Sequence, residues 1–302
     1  MLNLSLRHSL RHLRSLLSVL LLAAMLAAPA AAQFQPADRS DCDCRKKAQE
    51  ARESKERELA DWIKANYSKY EFRIPMRDGK RLFTAVYVPK DAAQANTYPI
   101  LLNRTPYGVG PYGEDQYKGS LGPSDLFARA KYIFAYQDVR GKFMSEGEFV
   151  DMRPHNPSQR SPAEVDESTD TYDTIDWLVK NIAYNNGKVG MYGISYPGFY
   201  VAAGMIDAHP ALRAASPQAP IADWFIGDDF HHNGALYLPH MFNFFVNFGV
   251  PRPQPTTKSP EPRFEHGTPD GYDFFKTVEP LSLINEKYFK NNIAFWNELR
   301  KL

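Results

Sequence analysis

Short apolar runs alternate with helical patterns between residues 98 and 216, and this alternation most limits the folds open to the chain. The apolar runs have the length of buried strands, and the segments between them have helical periodicity. The predicted strands are Tyr98–Asn103, Tyr132–Gln137, Lys188–Ile194 and Leu212–Ser216, and the predicted helices are Ser124–Lys131, Asp166–Ile182 and Gly198–Ala208. Elements that alternate in this way build a mainly parallel sheet with helices on both faces. The pattern therefore predicts an α/β fold.

An antiparallel strand pair is predicted ahead of this alternation. Tyr70–Met76 and Leu82–Val88 each alternate apolar and polar residues, and Asp78-Gly79 between them is a hairpin turn signal. Further upstream, Lys46–Lys69 is charged and helix-prone, with a narrow apolar stripe for packing. We expect a polar N-terminal segment with a leading helix over residues 33–69, and a sheet whose N-terminal edge is antiparallel. Later in the chain, Asn186-Gly187 is expected to end the helix predicted from Asp166.

The first 32 residues have the three parts of a secretory signal peptide. A basic start precedes an apolar run from Leu16 to Ala28, and the small-residue site Ala30-Ala31-Ala32 follows. The run is too short to span a bilayer comfortably. We expect cleavage after residue 32 and a mature protein that is secreted or periplasmic and has no membrane anchor. An uncleaved amphipathic anchor is the alternative interpretation.

The charge balance argues against a partner that is a polyanion. The 302 residues include 36 Lys and Arg against 35 Asp and Glu, which gives a formal net charge of +1. Such a balance creates no long-range field that would gather nucleic acid or anionic lipid. The hydrophobic fraction of 43% is sufficient for a sizeable core.

Two cysteines, Cys42 and Cys44, lie in a polar segment just after the predicted signal. Two thiols without other ligands nearby are too few for a metal site. Two interpretations remain, a local disulfide in an oxidising compartment and a tail feature without a catalytic role.

A serine flanked by glycines lies between a predicted strand and a predicted helix, in Gly193-Ile194-Ser195-Tyr196-Pro197-Gly198. A nucleophile elbow requires this arrangement, because the serine occupies a strained turn whose neighbours must be small. The N-terminus of the following helix then faces the developing oxyanion. The usual pattern has glycine two residues after the serine, whereas here Pro197 stands at that position and Gly198 follows. The segment predicts that Ser195 is a nucleophile, and an ordinary strand-to-helix turn is the alternative.

Four further motifs accompany this elbow. They are Arg104-Thr105-Pro106-Tyr107, Gln137-Asp138-Val139-Arg140-Gly141 with Ser145-Glu146-Gly147, His209-Pro210-Ala211-Leu212, and Gly227-Asp228-Asp229-Phe230. With the elbow, they resemble the X-Pro dipeptidyl-peptidase and cocaine-esterase (CocE/NonD) hydrolases, which include α-amino-acid ester hydrolases and glutaryl-7-aminocephalosporanic acid acylases. The resemblance extends from about Tyr70 to the C-terminus. It implies an α/β-hydrolase fold and a cofactor-free serine hydrolase acting on a small ester, amide or peptide substrate.

The resemblance also implies roles for individual residues. It makes Ser195 the nucleophile, and it makes the backbone N–H of Tyr196 and the hydroxyl of Tyr107 the oxyanion donors. Two donors that converge on a tetrahedral oxyanion are what acyl transfer requires. In α-amino-acid ester hydrolases, the second Asp of a matching Gly-Asp-Asp stretch belongs to a carboxylate cluster that holds the substrate's α-ammonium. Asp229 falls on that position and is a candidate substrate-binding residue, with a solvated acidic turn as the alternative.

Other polar residues near these motifs are interpreted as structural. Asp138 and Arg140 follow a central strand, where an internal salt bridge that shapes the oxyanion loop is favoured over a charge pair in the cleft. The histidines of the aromatic-rich segment after residue 221 are expected to pack or to lie at the surface, and no metal is expected. These histidines are His231, His232 and His240.

From residue 221 the sequence changes character. Aromatic residues crowd Trp224–Phe248, prolines follow, and helix-like segments such as Leu281–Leu299 come last. We expect a hydrolase core over residues 70–220 and a helical cap over residues 221–302 that lies above the C-terminal edge of the sheet.

The acid and base of a hydrolase triad are expected to lie outside this chain. In α/β-hydrolases they follow the serine, on loops after the last strands of the sheet, and no such strands are predicted here. We therefore expect an incomplete fold and a truncated cap. The full-length form is expected to be active and this chain to be inactive alone. Two other functions remain as alternatives, namely a non-catalytic binding fragment and a half-enzyme completed by a second chain.

Overall fold

A computed structural model describes residues 39–300, apart from 159–160, 162, 253, 260–263, 270, 279 and 294. The predicted signal peptide lies outside the described residues. The chain divides into two compact units, residues 1–53 and 54–302, and the sheet and the cap belong to the second unit. None of the helices in the described part is both long and apolar enough to cross a membrane.

Eight strands and eight α-helices are found among the described residues. The strands are β1 (Tyr67–Pro75), β2 (Arg81–Pro89), β3 (Tyr98–Thr105), β4 (Ile133–Asp138), β5 (Asn185–Ile194), β6 (Leu212–Gln218), β7 (His231–His232) and β8 (Ala235–Leu236). The helices are α1 (Arg39–Asn66), α2 (Asp125–Arg129), α3 (Glu167–Asn181), α4 (Tyr196–Gly204), α5 (Leu238–Phe248), α6 (Tyr272–Thr277), α7 (Ile284–Lys287) and α8 (Trp296–Leu299), with a 3₁₀ turn at Leu281–Leu283.

Six strands form one mixed sheet in the order β1-β2-β4-β3-β5-β6. β2 pairs antiparallel with both β1 and β4, whereas β3, β4, β5 and β6 pair in parallel. One face packs against α3 and α4 through Ile175, Leu178 and Val201. The other face packs against α1 and α2 through Ile63 and Ala128. The predicted α/β fold with an antiparallel N-terminal edge is confirmed.

Helix α3 begins where the sequence predicts. The Asp166 carboxylate accepts the Thr169 N–H, and the Thr169 hydroxyl accepts the Asp166 N–H, which together form a capping box. The predicted C-terminal signal is wrong, because Asn186-Gly187 lies inside β5 rather than after the helix. Asn185 ends the helix instead, since its side-chain amide donates to the carbonyls of Val179 and Ile182.

The N-terminal helix contains both cysteines. Cys44 is a free, exposed thiol, so the disulfide considered from the sequence is not formed. The apolar stripe of the same helix lies in its last turns, where Ile63 is fully buried. The leading helix is therefore present, and it ends at Asn66 because the chain enters β1 at the next residue.

The cap region from residue 221 has an aromatic core of its own. Met241, Phe242 and Phe245 of α5 are fully buried, and they belong to one cluster with Trp296. The single helical stretch predicted over residues 281–299 is wrong. It is broken into the 3₁₀ turn, α7 and α8, because Lys290 and Asn291 adopt positive φ angles of 52° and 61° that a helix cannot contain. The short β7–β8 hairpin was also not predicted.

Candidate active site

Ser195 occupies the single residue between the last residue of β5 and the first residue of α4. Its backbone angles are φ 61° and ψ −124°, a conformation that residues with side chains rarely adopt and that is retained only where the surroundings enforce it. The Ser195 N–H donates to the Gln218 carbonyl at 2.9 Å, and its carbonyl accepts the Phe199 N–H at 3.0 Å. The serine is therefore held in a strained turn by β6 on one side and α4 on the other.

Glycines on either side of the serine make this turn possible. A Cβ atom on Gly193 would lie 2.3 Å from the Pro197 carbonyl oxygen, and one on Gly198 would lie 2.5 Å from the Gln218 carbonyl oxygen. Both distances are far inside van der Waals contact. Gly198 therefore supplies the close approach to β6, which explains why the glycine stands three residues after the serine in this chain.

Tyr196 begins α4, whose first backbone N–H groups have no partner within the helix. The positive end of the helix dipole adds to the attraction for negative charge at this point. The Tyr196 side chain is buried, and its hydroxyl donates to Asp151 and accepts the Met152 N–H, both at 2.8 Å. This anchoring fixes the peptide that would face an oxyanion on Ser195.

Tyr107 lies in the loop after β3, beside the elbow. Its ring centroid is 6.2 Å from that of Tyr196, at an interplanar angle of 85°, and 5.7 Å from that of Phe248. Burial of the hydroxyl, together with the negative charges of Asp229 and Asp151, raises the pKa of Tyr107 to about 12. The phenol therefore keeps its proton at neutral pH and can donate a hydrogen bond, although the side chain as a whole is 49% exposed.

Asp229 lies in an exposed turn of the cap just before β7. Its negative charge contributes to the raised pKa of Tyr107, so the carboxylate lies near that residue. The structure thus brings together the four site residues named from the sequence, Ser195, Tyr196, Tyr107 and Asp229.

A lysine and two phenylalanines complete this neighbourhood and were not found by sequence reasoning. The Lys142 ammonium lies 4.0 Å from the ring centroid of Phe149 and 3.8 Å from that of Phe248. It donates to the Phe248 carbonyl, at the C-terminus of α5, at 2.5 Å. Burial lowers the pKa of Lys142 to about 7 and raises the pKa of Asp151 to about 6. No local signal marks these residues, because Lys142 and Phe248 are far apart in sequence.

The predicted salt bridge involving Asp138 and Arg140 is wrong in its partners. Arg140 forms bidentate pairs with Asp170 and Asp78, at N–O distances from 2.6 to 3.2 Å. Asp138 instead accepts from the Val109 N–H, the Tyr112 hydroxyl and the Met144 N–H. Burial raises the pKa of Asp138 to about 6. Both residues are buried, and Asp138 shapes the loop that carries Tyr107 through hydrogen bonds rather than through an ion pair.

Within the described part of the chain, no hydrogen bond joins the Ser195 hydroxyl to a histidine or a carboxylate. His155 lies between Asp166 and Asp207, at 3.1 Å and 3.4 Å, and His209 lies 3.4 Å from Asp176. These two histidines are therefore engaged away from the serine.

The histidines of the cap have different environments. His231 is 1% exposed, whereas His232 and His240 are exposed, and the His240 ring lies 5.8 Å from that of Phe230. No group of three His, Cys, Asp or Glu side chains suited to a metal ion is found among the described residues.

Known proteins share this architecture. The sequence pattern of the X-Pro dipeptidyl-peptidase (S15 family) matches residues 78–266, which is more than half of the chain. Cocaine esterase from Rhodococcus sp. (strain MB1 Bresler) is 34% identical over 191 residues, covering 62% of this chain and 30% of that protein. A putative serine esterase from Mycobacterium bovis is 28% identical over 150 residues, covering 48% of this chain and 23% of that protein.

Solved structures give the same result. An aminopeptidase from the marine sediment archaeon Thaumarchaeota archaeon superimposes with a TM-score of 0.66 at 34% identity, over 78% of this chain and 38% of that one. An α-amino acid ester hydrolase does so with a TM-score of 0.65 at 36% identity, over the same shares of 78% and 38%. The chain spans about a third of the length of these relatives. The α/β fold and the family match agree, and the chain belongs to the X-Pro dipeptidyl-peptidase (S15) family of α/β hydrolases.

Proposed function

We propose that this chain carries the nucleophile and the oxyanion hole of a serine hydrolase that cleaves an ester or amide through an acyl-enzyme on Ser195. The single observation that carries the proposal is the strained backbone of Ser195, with φ 61° between β5 and α4. Such strain at a strand-to-helix turn is characteristic of a nucleophile elbow, where it exposes the hydroxyl to substrate.

The proposed chemistry uses three groups of this chain. The Ser195 oxygen attacks the substrate carbonyl, and the negative charge that develops on the carbonyl oxygen is stabilised by the Tyr196 N–H and the Tyr107 hydroxyl. Asp229 is proposed to face the substrate from the cap, where its carboxylate would attract a cationic group.

Attack also requires a base that removes the proton of Ser195, and we propose that this base and its carboxylate partner are supplied by residues outside this chain. In that case the chain alone forms no efficient nucleophile, because an unassisted serine hydroxyl keeps a high pKa. A second polypeptide that completes the site remains a candidate arrangement, and a non-catalytic binding fragment remains a candidate function.

Covalent labelling tests the proposal. Ser195 should react with a fluorophosphonate probe once the acid and base are supplied by the downstream sequence or by a second polypeptide, and peptide mapping should locate the adduct on Ser195. Ser195→Ala should abolish both labelling and ester hydrolysis. Ser216→Ala is the matched control, because this exposed serine is part of strand β6 and not of the strained turn between β5 and α4. Labelling that persists in Ser195→Ala would contradict the proposal.

We also propose that residues 1–32 direct secretion and are removed. The basic start and the apolar run of the sequence support this. N-terminal sequencing of exported protein should begin at Gln33, and an intact Met1 would count against a cleaved signal.

A further inference from the structure

A cavity of about 870 Å³ lies between the core and the cap, next to Tyr107. Its core side includes Lys142 and Phe149, and its cap side includes Phe248 and Phe295. Its walls combine aromatic side chains with polar and charged groups, and a cavity of this size and composition can hold a small molecule. Its position beside Tyr107 makes it accessible to a group attached to the reacting carbonyl.

Three basic side chains line this cavity, namely Lys142, Arg252 and Lys258, against the single carboxylate of Glu148. No ion pair joins any of the three to a carboxylate in the part of the chain that the structure describes. The buried arginines Arg104 and Arg140, by contrast, form ion pairs with carboxylates.

Arg252 is incompletely satisfied in this position. Its Nη2 donates to the Ser145 carbonyl at 2.8 Å, while Nε and Nη1 are buried and have no partner among the described residues. Burial lowers the pKa of Arg252, with the charge of Asp138 acting in the opposite direction. Two buried guanidinium nitrogens without hydrogen-bond partners are costly, and an anion bound in the adjacent cavity would remove that cost.

Resting on the proposed function, we propose that this cavity binds an apolar, carboxylate-bearing group of the substrate, with Arg252 and Lys258 receiving the carboxylate. The aromatic walls contact the apolar body of the group, and the cations orient it relative to the carbonyl at Ser195. Asp229 lies near Tyr107 and carries the opposite charge, so the site offers a substrate both an anionic and a cationic group. The substrate class is an ester or amide with a negative charge on its acyl or leaving group.

Calorimetric titration of the 302-residue chain with 4-phenylbutyrate and with 4-phenylbutyramide tests this inference. The two probes match in size and differ in charge. We expect the carboxylate to bind about tenfold more tightly than the amide at low salt, as charge-assisted hydrogen bonds predict. Inorganic phosphate, which has charge but no apolar body, should not displace 4-phenylbutyrate at equal concentration. Equal affinity for the two probes, no binding of either, or displacement by phosphate would overturn the proposal.

Variants of the cavity residues test whether the preference for the carboxylate probe arises in this cavity. Arg252→Gln with Lys258→Gln should reduce the preference to about twofold or less, and Lys258→Gln alone should reduce it partly. Lys258 is exposed, so its single variant retains the fold even if the double variant does not. Lys188→Gln, an exposed lysine of β5, is the matched control and should keep the full preference. An unchanged preference in Lys258→Gln would contradict the assignment.

Different experimental outcomes would refute the proposed function and this inference. Ser195→Ala should keep the full preference for the carboxylate probe, because binding in the cavity does not use the hydroxyl. Loss of covalent labelling at Ser195 with a retained probe preference would refute the acyl-enzyme alone. Labelling at Ser195 without a probe preference would refute the anion site alone.

Discussion

The rings of Tyr107 and Tyr196 stand nearly perpendicular, with their centroids 6.2 Å apart. Phe248 of the cap contacts both rings, at centroid distances of 5.7 Å and 5.6 Å. The two residues proposed to donate to the oxyanion are thus held by a third aromatic side chain from a different part of the chain. Their relative position depends on the cap as well as on the sheet.

Tyr107→Phe should lower kcat while leaving the aromatic contacts intact, because it removes only the hydroxyl. Loss of one oxyanion donor is expected to reduce kcat on the order of 10²-fold or more, with a smaller effect on KM. The measurement is hydrolysis of a p-nitrophenyl ester by protein supplied with its acid and base. Tyr70→Phe is the control, since Tyr70 lies in β1 away from the elbow. An unchanged kcat in Tyr107→Phe would remove this residue from the oxyanion hole.

Gly198→Ala should destabilise the fold, because the added Cβ would lie 2.5 Å from the Gln218 carbonyl oxygen. Overpacking of this kind costs about 1–3 kcal/mol or more of the free energy of unfolding. Denaturant unfolding measures the change. Gly119→Ala is the matched control, because no atom lies within 4 Å of the added Cβ at that position. Equal stability of the two variants would show that the elbow tolerates a larger residue.

Arg140→Leu should be strongly destabilising, because it leaves the buried Asp170 carboxylate without its bidentate partner. Breaking a buried pair in this way costs about 3–5 kcal/mol. The control is Arg81→Leu, whose pair with Glu146 is formed by a 56% exposed arginine and should contribute far less to stability, because solvent screens it. Similar losses of unfolding free energy in the two variants would contradict the role assigned to burial.

Lys142 should make the stability of the protein depend on pH. Burial lowers its pKa from 10.5 to about 7, with Asp151 opposing and Arg252 reinforcing this shift. Between those two values the unfolded chain binds a proton that the folded chain does not, so the free energy of unfolding rises as pH increases through this window. Below about pH 7, Lys142 is protonated in both the folded and the unfolded chain. Burial of the charged ammonium then destabilises the folded state to its full extent.

Lys142→Met should remove this dependence. From about pH 7 to about pH 10, the free energy of unfolding of the parent protein should therefore rise relative to that of Lys142→Met. Denaturant titrations at the two ends of this window provide the measurement, and Lys188→Met serves as an exposed control. Parallel pH profiles for the parent protein and Lys142→Met would show that Lys142 titrates normally.

Local features of this protein were predictable from sequence because short-range physics determines them. The capping box of Asp166 and Thr169 involves residues three apart, so its signal is complete within one helical turn. The turn at Ser195 is similar, since glycines within three residues on either side permit the strained backbone. The resemblance of the surrounding motifs then extended this local prediction to Tyr107 and Asp229.

Long-range contacts were decided only by the tertiary structure. Arg140 had a near acidic neighbour in Asp138, but the fold places Asp78 and Asp170 in better bidentate geometry, and these carboxylates bind it instead. Likewise, no sequence pattern joins Lys142 to Phe248, whose contact forms when the end of α5 meets the loop after β4. Hydrogen bonds and ion pairs depend on position in space, so the sequence alone determined the elbow, whereas packing of the cap on the core decided what surrounds it.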